Sequence, residues 1–238
     1  MKRLFAVMAA LCCVGLVNAD PVWVMDGGGS FSGNYRDIQM LTDSTGWVVG
    51  DGGRVGKRLG KLYPQSAETP WIEQTNVMPG GTQYGYDFKG VCFADANNGW
   101  IVGYSNGGPK KYMGVVLRTE DGGVNWAAQY SVNIPLLAGT HDSLTPFLKV
   151  KVNKYGTDYL GYISCGNGYI LKLQLNGTWL PMRPPAPNND SISVWYNDLW
   201  INANDPNQVW ALGDNSCLFA GSADGGTSRC FENHARTA

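Results

Sequence analysis

The sequence is short of charge and short of the residues that carry most acid–base chemistry. Only 16% of its 238 residues are charged, and 18 Lys and Arg nearly balance 19 Asp and Glu, for a formal net charge of −1. No basic run marks a nucleic-acid footprint, and Lys110-Lys111 is a lone pair that reads as a solvated loop. His141 and His234 are the only histidines, too few for a histidine-rich metal site. Glutamate occurs only at 68, 73, 120 and 232, so a strong helix former is scarce. Beyond the N-terminus no apolar run approaches the roughly 20 residues that span a bilayer, and no window of about 11 residues keeps a helical period. No Ser/His/Asp order stands out, and Gly27-Gly28-Gly29 opens no helix that could cradle a phosphate. Neither a metal nor a cofactor is expected.

Turn formers and large aromatics are plentiful, with 32 Gly and 9 Trp. This balance points to short strands joined by tight turns. The N-terminus reads as a secretory signal over residues 1–19: Lys2 and Arg3, then the uncharged run Leu4 to Val17, then small residues at Val17 and Ala19 before Asp20. Cys12 and Cys13 would leave with it. Cys92, Cys165, Cys217 and Cys230 would remain in a compartment that permits disulfides. Cys217 and Cys230 flank the turn at 222–226 almost symmetrically, so either a cross-strand disulfide or two free thiols fit there. Asn176-Gly177-Thr178 and Asn189-Asp190-Ser191 are glycosylation tripeptides, common by chance.

One phrase recurs along the chain: Gly46-Trp47-Val48-Val49-Gly50, Gly99-Trp100-Ile101-Val102-Gly103 and Val209-Trp210-Ala211-Leu212-Gly213. Tyr162-Ile163-Ser164-Cys165-Gly166 reads as a weaker copy with Ile163 in the Trp place. Each copy follows a short apolar strand and a polar turn, and precedes another alternating strand. Repeated meanders at a spacing of about 50 residues predict an all-β, propeller-like domain over 20–238. About four recognisable blades of antiparallel strands are expected, roughly 36–80, 88–130, 146–182 and 197–238, forming an incomplete or open propeller with an edge near the C-terminus that wants another blade. Thr119-Glu120-Asp121-Gly122-Gly123-Val124-Asn125-Trp126 fits the Asp-box, Ser/Thr-x-Asp-x-Gly-x-x-Trp. Thr119, Asp121, Gly123 and Trp126 are read as structural: the carboxylate bonds turn N–H groups, the glycine takes a positive φ, and the Trp packs between sheets. Ser222, Asp224 and Gly226 form a second box with Arg229 in place of Trp.

Together, Gly-Trp-x-Val-Gly and Thr-x-Asp-Gly-Gly-x-x-Trp resemble the photosystem II stability and assembly factor family and the wider Asp-box propellers of sialidase and sortilin type. The resemblance runs over about 36–229. It implies a non-catalytic propeller that scaffolds assembly, although this chain shows four copies where such relatives have six or seven, and no arginine cluster. The function expected is therefore that of a secreted, non-catalytic scaffold recognising a protein or glycan, with no nucleic-acid partner, no membrane span and an open oligomeric state. The alternative is a degenerate or truncated sialidase-like glycoside hydrolase. Against it, Tyr35-Arg36-Asp37-Ile38 only superficially matches a sialidase start, and no arginine triad is evident. Binding is expected on the face carrying the loops 72–88, 129–146 and 181–196, through Tyr84, Tyr86, His141, Trp195 and Tyr196, though the last two also suit a strand packing inward. N-terminal sequencing of exported material is expected to begin at Asp20; the full-length chain recovered from cytosol would refute export.

Overall fold

The computed structural model describes residues 33–60, 71–129, 145–182, 195–214 and 218–221. The signal segment, His141, Cys217, Cys230, the Asn189 tripeptide and the second box (Ser222, Asp224, Gly226) lie outside the described residues. Within them, strands form four antiparallel meanders in chain order. Sheet 1 holds β1 (Tyr35–Met40), β2 (Thr45–Gly50), β3 (Arg54–Leu59) and β4 (Trp71–Glu73). Sheet 2 holds β5 (Tyr86–Phe93), β6 (Gly99–Ser105), β7 (Gly114–Thr119) and β8 (Ala127–Gln129). Sheet 3 holds β9 (Phe147–Tyr155), β10 (Asp158–Cys165), β11 (Ile170–Leu173) and β12 (Trp179–Met182). Sheet 4 holds β13 (Tyr196–Ile201), β14 (Val209–Gly213) and β15 (Leu218–Gly221). No helix among the described residues is long and apolar enough to cross a membrane.

Each sheet stacks on the next, and three apolar cores lie in the three joints. Trp47, Val49 and Val55 of sheet 1 meet Phe88, Val91, Phe93 and Ile101 of sheet 2. Cys92, Trp100 and Val102 on the opposite face of sheet 2 meet Phe147, Val150, Val152 and Ile163 of sheet 3. Tyr162 and Ile170 meet Tyr196, Leu199, Ile201 and Ala211 of sheet 4. The result is a propeller-like arc of all-β sheets whose first strands sit side by side.

A β-bulge falls at the same place in all four first strands: Tyr35/Asp37, Phe88/Gly90, opposite Ser164/Cys165, and Tyr196/Asp198. The extra residue reverses the alternation of the pleat. An aromatic therefore shares a face with an aliphatic three residues on: Phe88 with Val91, Phe147 with Val150, Tyr196 with Leu199. Tyr35 and Ile38 have the same spacing. Registered on this bulge, Gly50, Gly103, Cys165 and Gly213 are equivalent, and so are Trp47, Trp100, Tyr162 and Trp210. This corrects the sequence alignment of the weak copy. Tyr162, not Ile163, holds the Trp place, and Cys165 holds the place of the closing glycine. Glycine is needed there in sheets 1 and 2: a Cβ on Gly50 or Gly103 would lie 2.2 Å from the carbonyl oxygen of Asn34 or Asp87.

The open edge of a first strand is capped by side chains of the strand before it. Asp37 Oδ2 accepts the Val91 N–H at 3.0 Å. Gln39 donates to the Phe93 carbonyl at 3.1 Å and accepts the Phe93 N–H. One joint further on, Cys92 stands where Gln39 stands. Its sulfur accepts the Val152 N–H at 3.2 Å and donates to the Val152 carbonyl at 3.5 Å. Backbone groups that would template strand addition are thus occupied.

The Asp-box closes the β7–β8 connection at the end of the arc where first strands finish. Asp121 Oδ1 accepts from Val124 N, Asn125 N and Thr119 Oγ1 at 3.0, 2.9 and 2.8 Å, while Thr119 Oγ1 accepts the Gly123 N–H at 2.8 Å. Gly123 has φ +75°, and a Cβ there would lie 2.3 Å from the Trp47 ring. Trp126 is half-buried and meets Trp47 and Phe93 edge-on at 5.7 and 5.9 Å, so it wedges sheets 1 and 2 together. Lys57 of sheet 1 reaches across to the Gly122 carbonyl at 2.8 Å.

Hydrogen bonds from Asn125, backbone first and side chain second, with help from Thr119, lower the Asp121 pKa from 3.8 to about 2. The folded state binds this proton less readily than the unfolded chain. Its contribution is therefore complete above about pH 4 and lost as pH falls through about 2. The difference in Tm between the protein and Asp121→Asn is expected to be full at pH 5 and to close towards pH 2. A difference independent of pH would refute this role.

Candidate functional site

At the opposite end of the arc, first strands begin and second strands finish. The residue immediately after each closing position projects there: Asp51, Tyr104, Gly166 and Asp214. On sheets 1 and 2 these residues organise a charged and aromatic cluster. Asp51 Oδ2 accepts from Arg36 Nε at 2.9 Å and also from Arg36 Nη2; its Oδ1 accepts from Lys89 Nζ at 2.5 Å. Asp87 Oδ1 accepts the Gly52 N–H at 2.9 Å and Asn106 Nδ2 at 3.1 Å, and its Oδ2 lies 3.7 Å from Lys89 Nζ. Lys89 Nζ sits 5.0 Å from the Tyr104 ring centre, Tyr104 is 5.6 Å from Tyr112, and Lys111 Nζ lies 5.0 Å from the Tyr112 ring.

The electrostatics keep Arg36, Asp51 and Lys89 charged. The Arg36 hydrogen bond holds the Asp51 carboxyl below its ordinary range, with Lys89 helping against partial burial. The same contact raises Arg36. Burial pulls Lys89 down, but the Asp51 hydrogen bond and Tyr104 outweigh it and leave Lys89 raised. A carboxylate clamped by two cations is a poor general base near neutral pH, because its proton affinity lies far from the operating range. The cluster can instead hold surface tyrosines in place and offer cation–π and hydrogen-bonding groups to a ligand. Among the described residues, no group of three or more His, Cys, Asp or Glu could hold a metal ion.

Among the described residues, two non-glycines take positive φ, Tyr112 (+70°) and Asn167 (+57°), both at this end. Asn tolerates that region, but for a bulky tyrosine it is strained. The turn holds it through a Tyr112 N–H donated to the Ser105 carbonyl at 2.8 Å. Strain of this kind gathers where a side chain has to be presented in one direction.

The structure places Tyr84 at the same end, exposed in the 3-10 segment Pro79–Gly85, with its carbonyl 3.5 Å from Asn106 Nδ2. Tyr86 is half-buried against the core of sheets 1 and 2. Trp195 is at the same end of the arc but on sheet 4; it is half-buried, and a Cβ on Gly166 would touch its ring at 3.4 Å. Of the two readings of Tyr196, binding surface or inward packing, the structure takes the second: at 3% exposure it fills the aromatic place beside the bulge, as Phe88 and Phe147 do. Sequence reading missed Arg36, Asp51, Lys89, Tyr104 and Tyr112. A usable signal was present, since Asp51 and Tyr104 directly follow Gly50 and Gly103 of the repeated phrase.

No protein-family model matches the sequence, and neither does any curated protein. Solved structures similar to the chain include YCF48 from Cyanidioschyzon merolae, at 18% identity and a TM-score of 0.49, over 84% of this chain and 57% of that one. The chain thus spans a little over half the length of that relative. Another is YCF48 bound to D1 peptide, at 16% identity and a TM-score of 0.33, over 84% of this chain and 83% of that one. A third is the Niastella koreensis GH74 enzyme, at 13% identity and a TM-score of 0.26, over 79% of this chain and 40% of that one.

Replacing Tyr112 separates strain from ring contacts. Tyr112→Ala and Tyr112→Gly both remove the ring, but only glycine adopts φ +70° without cost. The Gly variant is expected to be more stable than the Ala variant by about 1 kcal/mol in chemical denaturation. Equal stabilities would show that the backbone there is unstrained.

Proposed function

We propose that the chain is an exported, non-catalytic recognition scaffold that takes a protein or glycan ligand on the end of the arc carrying Tyr84, Tyr104, Tyr112 and Arg36. The observation that carries this reading is the contrast between the two ends. At the Asp-box end the polar groups of the box are spent on its own turn and on the joint between sheets 1 and 2. At the other end a rigid, fully charged Arg36–Asp51–Lys89 cluster backs exposed tyrosines, one of them in a strained backbone conformation. Tyrosine and arginine on a preorganised frame are the side chains that dominate recognition surfaces. A glycoside hydrolase needs two carboxyl groups in different protonation states. The clamped Asp51 supplies no such pair.

Site-specific photo-crosslinking tests the assignment. A photoreactive phenylalanine is placed singly at 84 and 112, and at the exposed Val124 and Leu175 positions on the other end. In the extracellular fraction of the native host, adducts are expected from 84 and 112 and not from 124 or 175. Adducts confined to 124 or 175 would place recognition at the Asp-box end and overturn the reading.

A further inference from the structure

The outer face of sheet 4 is apolar where the open face of a terminal antiparallel sheet is ordinarily polar. Register pairs Trp200 with Trp210 and Asp198 with Leu212, and residues paired in this way share a face. Trp200, Trp210 and Leu212 are 55%, 40% and 57% exposed, and Asp198 is exposed beside them. Their strand neighbours Leu199, Ile201, Val209 and Ala211 are buried on the other face, in the joint with sheet 3. Scattered apolar residues on a surface are ordinary, but a contiguous row marks an interaction site.

The repeat shows that this row is one half of a joint. Trp47, Trp100, Tyr162 and Trp210 are equivalent in register. The first three are 1%, 1% and 3% exposed, each covered by the sheet that follows. No described sheet follows sheet 4. Sheet 1 of a second copy cannot take that place, because Val48 and Arg58 on its outer face are already buried, at 7% and 4%.

The polar groups of the sheet 4 face match the same face on another copy. Asp198 Oδ1 accepts the Leu199 N–H at 2.8 Å, and Oδ2 meets no donor among the described residues. The indole N–H groups of Trp200 and Trp210 meet no acceptor among the described residues. One unfilled acceptor and two unfilled donors, with no cation among these four residues, form a self-complementary set. We propose that two copies of this chain pair through the outer faces of sheet 4, about a two-fold axis lying between the sheets and roughly perpendicular to the strands. Each β13 then lies over the other β13 and each β14 over the other β14, in antiparallel directions. With the axis between the two registered rows, Asp198 of each copy accepts from Trp200 Nε1 of the other, and Leu212 packs on Trp210 of the other. An isologous joint makes every contact twice and closes at two copies.

The area is of the right order. Large aromatic side chains carry about 150–250 Å² each, so the exposed parts of Trp200 and Trp210 alone offer on the order of 200 Å² per copy. That is about a quarter of the roughly 800 Å² per partner that a stable dimer buries. Tryptophan is also the residue type that most often anchors the centre of an interface. Because the paired strands are antiparallel, the ends of the two copies that carry Tyr84 and Tyr112 face in opposite directions.

Sedimentation equilibrium of the mature full chain tests this, with Leu212→Lys and Ile38→Lys as variants. Both positions are more than half exposed, and unchanged far-UV circular dichroism checks that each variant is folded. The unmodified chain is expected to dimerise. Iodide quenching of Trp200 and Trp210, read as the difference from a chain with phenylalanine at both positions, is expected to fall as dimers form. Leu212→Lys is expected to weaken association about 30-fold, since it strikes the joint twice. Ile38→Lys is expected to leave association unchanged. Three results would overturn the proposal. A monomer with both tryptophans open to iodide means that the face awaits a different protein. A monomer with both shielded means that the chain covers its own face. A dimer indifferent to Leu212→Lys, or weakened by Ile38→Lys, means that the copies meet through another surface.

Discussion

Every part of this fold depends on one constraint: a sheet that is apolar on both faces has to be covered on both. Val48 and Trp47, or Ile101 and Trp100, are sequence neighbours that point to opposite faces of one sheet, and three of these four lie in the cores of joints. Such a strand cannot rest on a single core. It has to be sandwiched, and a row of sandwiched sheets is a stack. Curvature of the stack follows from the first strands, which lie together with no partner on one edge. Their backbone groups are met by Asp37, Gln39 and Cys92 from the preceding strand, so the sheets converge along that line.

The bulge in each first strand links this packing to the candidate site. By reversing the pleat it sends an aromatic into the core at the start of the strand, and it brings the residue after the closing glycine beside the next first strand. Asp51 comes within reach of Lys89 on the neighbouring sheet in this way. The site is therefore a by-product of the repeat's geometry that one pair of sheets has furnished with charge. Other pairs show different occupants at the same positions: Gly166 at sheet 3, and at sheet 4 Asp214, which accepts from Asn197 at 2.6 Å. The Asp-box contributes at a distance, by fixing the angle between sheets 1 and 2 through Trp126 and Lys57.

Much of the architecture was legible because it is written twice or more. The Gly-Trp-x-Val-Gly phrase marks second strands whose glycines cannot carry a side chain and whose Trp fills a joint. The Asp-box states its own turn through Asp121 and Gly123. The weak copy was misaligned by one residue because Cys165 takes a glycine's place, and composition alone favours reading Gly166 as the match. A second phrase, aromatic-x-x-aliphatic at Tyr35/Ile38, Phe88/Val91, Phe147/Val150 and Tyr196/Leu199, breaks strict alternation and so gives no strand signal by period alone. Only the bulge gives it meaning, and with it Tyr196 reads as core. The charged cluster was hidden for another reason: Arg36, Asp51, Lys89 and Tyr104 are scattered in sequence and meet only across a joint.

Cys92 has a consequence of its own. Its sulfur does for sheet 3 what an amide side chain does for sheet 2, and burial pushes its thiol up, as it does that of Cys165 in the same core. Both sulfurs stay protonated and sealed while sheets 2 and 3 are together. They become nucleophilic only when that joint parts, because the thiolate reacts and the buried thiol does not. Access of a thiol reagent to either sulfur therefore requires the arc to open at its middle. In an oxidising milieu, a chain whose joint breathes too often would be chemically marked at those two sulfurs, while a tightly stacked one would keep them reduced for its lifetime.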